Sequence, residues 1–231
     1  MKVYEYKVKL LLKEDIHYEK LVTVLNYFID SALSRDEELQ KYHNEKHYKG
    51  YVHDFLYPVE KEGVYKKNHY YTMRIRSIEK NLIQYFISNC SFHETTELIA
   101  MGGEVSIVPE KMIKRIYSIT SVIVKNDEKG YWKNYMSLEE FEKRLKDNLM
   151  KKYKLFVDED LDENFMIYDC IEFKNKVPVK VPYKNIHLLG DKISIEIAQN
   201  ERAQKIAYLA LGTGVLENNS RGFGFMNYEY L

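Results

Sequence analysis

The order in which the apolar period changes along the chain constrains its fold most. Residues 2–13 alternate polar and apolar at period two, and Leu10, Leu11 and Leu12 close them as a strand end able to be buried on both sides. From residue 17 to 35 the spacing changes, and Tyr18, Leu21, Val22, Leu25, Phe28, Ile29 and Ala32 form the stripe of a helix with one buried face. A polar helix or turn follows over 36–46. Residues 51–60 and 69–78 read as strands joined by a charged turn at Glu62 and Gly63. Residues 79–89 read as a short amphipathic helix, and 97–108 as a hairpin turning at Gly102 and Gly103. Strand, helix, strand, strand, helix, strand is the ferredoxin-like order.

The order then repeats. Residues 114–125 read as a strand, and 137–153 as a helix opened by a Ser137 cap with Glu140 three residues on. Strand pairs with a turn near Asn175 are expected over 165–182, and a further strand over 192–198. A helix capped by Asn200 is expected over 200–211, and a closing strand over 223–230. No linker rich in Pro, Gly or Ser separates the halves, so the boundary is placed near Ile113, giving domains 1–112 and 113–231. The expected class is α+β: two tandem ferredoxin-like (RRM-like) domains with a C-terminal glycine-rich loop.

Charge and cysteine content narrow the function. Lys plus Arg is 35 and Asp plus Glu is 35, so a phosphate-binding face has to come from local clusters rather than global attraction. The 21 tyrosines supply stacking surfaces for unpaired bases, and equally suit strands and half-exposed cores. Cys90 and Cys170 stand far apart, in no metal-ligand spacing and with no disulfide framework; no cofactor or metal is expected. The N-terminal residues lack the unbroken apolar run of a signal peptide or a membrane span, which predicts a cytoplasmic protein without a membrane partner.

Residues 212–224 read Gly-Thr-Gly-Val-Leu-Glu-Asn-Asn-Ser-Arg-Gly-Phe-Gly. Glycines at Gly212, Gly214, Gly222 and Gly224 permit positive φ and close approach, so successive N–H groups can converge on a phosphate. Arg221 adds a charged fork, while Asn218, Asn219 and Ser220 offer neutral donors to phosphate or sugar. A nucleoside-triphosphate loop is excluded because no Gly-Lys-Ser/Thr is present and the segment follows a helix and precedes a strand. The same order excludes a dinucleotide fingerprint. The plain alternative is a tight helix-to-strand connection.

Gly-x-Gly, then Asn-Ser, one residue, then Gly-Phe-Gly before a final strand resembles the C-terminal loop of the RAMP superfamily. More narrowly, it resembles the endoribonucleases that cut CRISPR precursor transcripts within each repeat. The resemblance implies a loop that packs between two ferredoxin-like domains and helps hold repeat RNA. Non-cleaving relatives share the loop, so it does not by itself imply catalysis.

Cleavage of RNA by its own 2′-hydroxyl needs proton transfer at two oxygens and positive charge beside the phosphorus. Residues 42–51 place His43, His47, Lys46 and Lys49 in one short segment after the first helix. The plain alternative is a solvated surface rich in His and Lys. The family resemblance implies a histidine after the first long helix and a following lysine. The matching positions are His43 and Lys49, with His47 as competitor. It also implies a tyrosine on the first helix, for which Tyr27 is nearest, in a register one residue off.

Arg74 and Arg76 fall on one strand face beside Tyr70 and Tyr71, where they either pair with RNA phosphates or form a charged outer face. Lys111, Lys114, Arg115, Arg202 and Lys205 form a second basic group. The acidic run Asp158, Glu159, Asp160, Asp162 and Glu163 repels phosphate and is left off the RNA surface. The expected function is a metal-independent endoribonuclease that releases guide RNAs from the precursor, leaving a 2′,3′-cyclic phosphate. The alternative is a non-catalytic repeat- or guide-RNA-binding subunit. Expected partners are CRISPR repeat RNA and, open alongside it, interference-complex subunits or a second copy of the chain.

Overall fold

The computed structural model describes residues 1–125, 130–158, 160, 162–183 and 186–231. Strand β1 (Tyr4–Leu12) buries Tyr6, Val8, Leu10 and Leu12 on one face and turns Lys7 and Lys9 outward, as its alternation requires. After the short β2 (Ile16–His17), helix α1 (Tyr18–Leu33) lays Leu21, Leu25, Phe28 and Ile29 on that buried face. Helix α2 (Glu37–Asn44) follows, with the Asp36 side chain accepting from Leu39 N at 3.0 Å as its cap. Strands β3 (Tyr51–His53), β4 (Val64–Tyr65) and β5 (Tyr70–Ser77), helix α3 (Lys80–Cys90) and strand β6 (Leu98–Ile107) complete the first half. The antiparallel sheet runs β3-β5-β1-β6, and the β2–β4 pair stands apart from it.

In the second half come β7 (Ile113–Ser118), α4 (Leu138–Phe156), β8 (Tyr168–Phe173), β9 (Val179–Tyr183) and β10 (Ile186–Gly190). They are followed by β11 (Ile193–Ile197), α5 (Glu201–Thr213) and β12 (Met226–Tyr230). Its sheet runs β12-β7-β11-β8, with Phe141, Leu145 and Leu149 of α4 and Ala203, Ile206 and Ala207 of α5 in one core. In both sheets the first and third strands are central and both helices contribute to the core beside them, the ferredoxin-like arrangement twice over.

Several expectations change. Residues 97–108 are not a hairpin: β6 is one strand whose pairing with β1 shifts register between Val8 and Leu10. Gly102 takes φ +83°, and a Cβ on Gly103 would strike Lys7 O, so the glycine pair makes a bulge instead of a turn. The strands expected within 165–182 do not pair with each other. β8 joins β11, while β9 pairs with β10, a strand the sequence reading missed. Asn175 anchors the segment between β8 and β9 by donating to Asp191 Oδ1 at 2.9 Å and accepting from Lys192 N at 2.6 Å. In the run 51–60 only β3 is a strand, and Tyr57 returns as a single bridge to Thr72. Residue 159 of the acidic run lies outside the described residues; Asp162 pairs with Arg202 at 2.8 Å and Glu163 with Lys154 at 2.6 Å.

The halves meet through buried groups. Tyr208 on α5 donates to Val108 O at 2.6 Å and accepts from Val3 N at 3.2 Å. Gly212, in the last turn of α5, lets the helix close on the first half: a Cβ there would lie 2.7 Å from Ile78 Cγ2 and 3.2 Å from Val3 Cγ2. Among the described residues no helix is long and apolar enough to cross a membrane.

Candidate active site

His43 stands in the last turn of α2, its side chain only 6% exposed. Nδ1 lies 3.0 Å from the hydroxyl of Tyr51 on β3. Burial, and the nearby Asp30 carboxylate, raise the Tyr51 pKa, so its hydroxyl keeps its proton and can donate it to Nδ1. A neutral ring held that way carries its own proton on Nε2, which lies 2.9 Å from Asp30 Oδ1, off the line of a hydrogen bond. Asp30, on α1, also accepts from Arg221 Nη1 at 2.6 Å. Burial would raise the Asp30 carboxyl, but the His43 ring and the Arg221 guanidinium outweigh it and hold the pKa below the usual range. The Arg221 carbonyl accepts from Asn26 Nδ2 at 3.3 Å, a second tie between α1 and the glycine-rich loop.

Lys49 turns back over the end of α2, donating to Glu45 O at 2.9 Å and to Tyr42 O, and so meets the negative end of the helix. Partial burial pulls its pKa down. His47 Nε2 lies 3.5 Å from Lys49 Nζ, and His47 Nδ1 lies 3.3 Å from Glu45 Oε2. At 32% side-chain exposure His47 is the more open of the two histidines, and burial followed by the Lys49 charge lowers its pKa.

The glycine-rich loop closes the site from the second half. Its glycines fold the loop; they do not offer N–H groups to a phosphate. Gly214 N donates to Ala210 O, Gly222 N to Asn219 O and Gly224 N to Ser121 O. Gly222 lets the loop abut β3, since a Cβ there would lie 2.6 Å from Phe55 and 2.9 Å from His53. The Asn219 amide is buried and donates to Val215 O and Phe223 O, at 3.0 Å each. Of the loop positions singled out in the sequence, Asn218, Ser220 and Arg221 are the partly exposed ones, and the Ser220 side chain stands beside the Tyr51 hydroxyl.

A cleft of about 590 Å³ brings the two segments together, lined by His43, His47 and Lys49 on one side and Asn218, Ser220 and Arg221 on the other. Tyr27 is 56% exposed and shares a second, smaller cleft with Asp30 and His43. Arg74 and Arg76 share a strand face as expected, but that face turns toward the other half. Arg76 is buried, donating to Glu5 Oε2 and to Met226 O at 2.6 Å each, and both guanidiniums lie over the Phe225 ring. Arg74 donates to Asp54 Oδ2 at 2.6 Å. In the second basic group, Arg115, Arg202 and Lys205 each pair with a carboxylate. Asp30 and Tyr51 escaped the sequence reading.

The fold and cleft define a tandem ferredoxin-like protein in which a His-Lys segment of one half faces a glycine-rich loop of the other. Residues 107–228, over half the chain, match the family model described as CRISPR associated protein Cas6, C-terminal, and the chain belongs to the Cas6 family. It is 28% identical over 239 residues to the CRISPR-associated endoribonuclease Cas6 2 of Methanocaldococcus jannaschii, covering 96% of this chain and 98% of that one. Among solved structures it resembles one described as an RAMP protein binding different RNA substrates, with TM-score 0.72, 17% identity, and coverage of 98% and 99% of the two chains. It also resembles one described as CRISPR associated protein Cas6, with TM-score 0.65, 18% identity, and coverage of 98% and 99%.

Proposed function

We propose that the chain is a cytoplasmic endoribonuclease that binds CRISPR repeat RNA and cuts the precursor transcript into guide RNAs without a metal. It would act with domains divided at 112/113. The observation carrying this reading is the single cleft shared by His43, His47, Lys49 and the glycine-rich loop, in a chain of the Cas6 family. In this reading the proton transfers fall to side chains.

The 2′-oxygen attacks the adjacent phosphorus, the bond from phosphorus to the 5′-oxygen breaks, and a 2′,3′-cyclic phosphate and a 5′-hydroxyl result. One proton leaves the 2′-hydroxyl and one reaches the 5′-oxygen. His43, oriented by Tyr51 and Asp30, serves as general base or acid, with Tyr27 beside it. Lys49 and Arg221 place positive charge near the phosphate. Ser220 and Arg221 contact the RNA, while Gly212, Gly214, Gly222, Gly224 and Asn219 shape the loop. A second reading gives the proton transfer to His47, which is favoured by its exposure and its place beside Lys49 Nζ.

The deciding experiment incubates the protein with cognate repeat RNA in EDTA. Cleavage that survives chelation and is lost in His43→Ala, with binding retained, supports the first reading. Loss in His47→Ala but not in His43→Ala moves the role to His47. Tight binding without cleavage under any condition replaces both with a non-catalytic RNA-binding subunit.

A further inference from the structure

Lys152 lies on the buried stripe of α4 with no exposed surface. Its Nζ donates to Asn219 Oδ1 at 2.6 Å, Gly214 O at 2.8 Å, Thr213 O at 3.3 Å and Leu216 O at 3.4 Å. The carbonyls belong to the end of α5 and the start of the glycine-rich loop, where a cation complements the helix dipole. Asn219, the fourth acceptor, holds the far limb of the loop through its bonds to Val215 O and Phe223 O. One ammonium therefore gathers both limbs. Asn148, one turn earlier on α4, supports the same bend by accepting from Leu216 N at 3.0 Å and donating to Leu216 O at 3.1 Å.

A wholly buried ammonium is costly to desolvate, and an apolar side chain would fill the same volume without that cost. Glu217 is the carboxylate that acts on Lys152, and it is itself engaged by Arg144. What Lys152 supplies in place of apolar packing is a fixed set of bonds to one loop, and that loop carries Ser220 and Arg221 into the cleft.

We infer that Lys152 is a positioning residue for RNA binding, holding the glycine-rich loop through Asn219 in the shape that presents Ser220 and Arg221 to the cleft. The inference rests on the reading of that cleft as the RNA site. Burial pushes the Lys152 pKa down to about 7. The ammonium has three donors for its acceptors; the free amine has two and turns a lone pair toward carbonyl oxygens. The cost of burying the charge outweighs that difference: a value below the ordinary one means that the stability contributed at this site grows, and is not lost, as pH rises from about 7 toward about 10.5. The groups facing Lys152 are Asn148 on α4, the Tyr48 ring 5.6 Å away ahead of β3, and Glu217 and Asn219 in the loop.

The test measures repeat-RNA affinity and single-turnover cleavage from about pH 6 to about pH 8.5 for the unaltered protein, Lys152→Met and Lys152→Gln. In Lys152→Met the dissociation constant should rise about tenfold across that range. The cleavage rate at saturating RNA should stay within about threefold. Lys152→Gln keeps an amide donor without the charge, so it should bind with intermediate affinity; it decides the matter if Lys152→Met does not fold. A folded variant with unaltered affinity overturns the inference. An unaltered protein that fails to bind the repeat sinks the RNA reading itself, and this inference with it, before any variant is compared.

Discussion

Arg221 Nη1 lies 2.6 Å from Asp30 Oδ2, which ties the glycine-rich loop of the second half to the first helix of the first half. The other Asp30 oxygen is 2.9 Å from His43 Nε2. The loop that would hold RNA and the histidine that would cut it thus share one carboxylate, and a phosphate that draws Arg221 away changes the surroundings of His43 directly.

The depressed Asp30 pKa fixes the sign of one pH effect. A carboxyl held below its unfolded value contributes stability above about pH 4, which is lost as pH falls through the folded value. Asp30 is partly exposed, so solvent screens the pair and about 1 kcal/mol is at stake. Asp30→Asn should be less stable than the unaltered protein by that amount at neutral pH. In urea denaturation series the difference should close as pH approaches about 2.

Tyr51→Phe should separate orientation from binding. It removes the hydroxyl that fixes His43 Nδ1 and leaves the cleft surface intact. Single-turnover cleavage should slow about tenfold, the affinity for repeat RNA should hold, and stability should fall by about 1 kcal/mol for the lost buried hydrogen bond. Unchanged cleavage by Tyr51→Phe would remove His43 orientation from the mechanism.

Periodicity carried most of the fold, because an amphipathic helix and an alternating strand each write their buried face into the residues. Positions whose meaning depends on a distant partner were harder to read. Gly102 and Gly103 look like a turn until β1 is laid beside them and the bulge against Lys7 becomes necessary. Asp30 and Lys152 were passed over in the sequence. For Lys152 a signal was present: it continues the stripe Phe141, Leu145, Asn148, Leu149 at helical spacing, so it had to be buried and bonded. Nothing comparable marks Asp30, whose partners come from α2 and from a loop on the far side of the chain. Arg76 followed the alternation correctly, yet the alternation could not say that its face would be covered by Phe225 and Met226.

Arg76→Ala tests that covered face. The substitution strands the buried Glu5 carboxylate and frees the Met226 carbonyl, so stability should fall by about 3–5 kcal/mol in urea denaturation. Adding Glu5→Gln should recover part of the loss, because the stranded charge is gone. Full stability in Arg76→Ala would show that the halves do not depend on this contact.

Two glycines of positive φ, Gly102 in the β6 bulge and Gly224 in the glycine-rich loop, separate backbone freedom from close approach. Gly102 has φ +83° with nothing near a Cβ, so Gly102→Ala should cost only the backbone strain, about 1 kcal/mol. Gly224 has φ +66°, and a Cβ there would strike Val215 O and press on Asn219 Nδ2 at 2.8 Å. Val215 N donates to Gly224 O at 3.0 Å, so the two limbs cannot part without losing that bond. Gly224→Ala should therefore cost about 3 kcal/mol or more. It should also weaken repeat-RNA binding about tenfold by displacing Ser220 and Arg221, while Gly102→Ala leaves binding unchanged. Denaturation midpoints and filter-binding isotherms for both variants check the pair. Equal effects at the two positions would mean that the shape of the glycine-rich loop does not govern RNA binding.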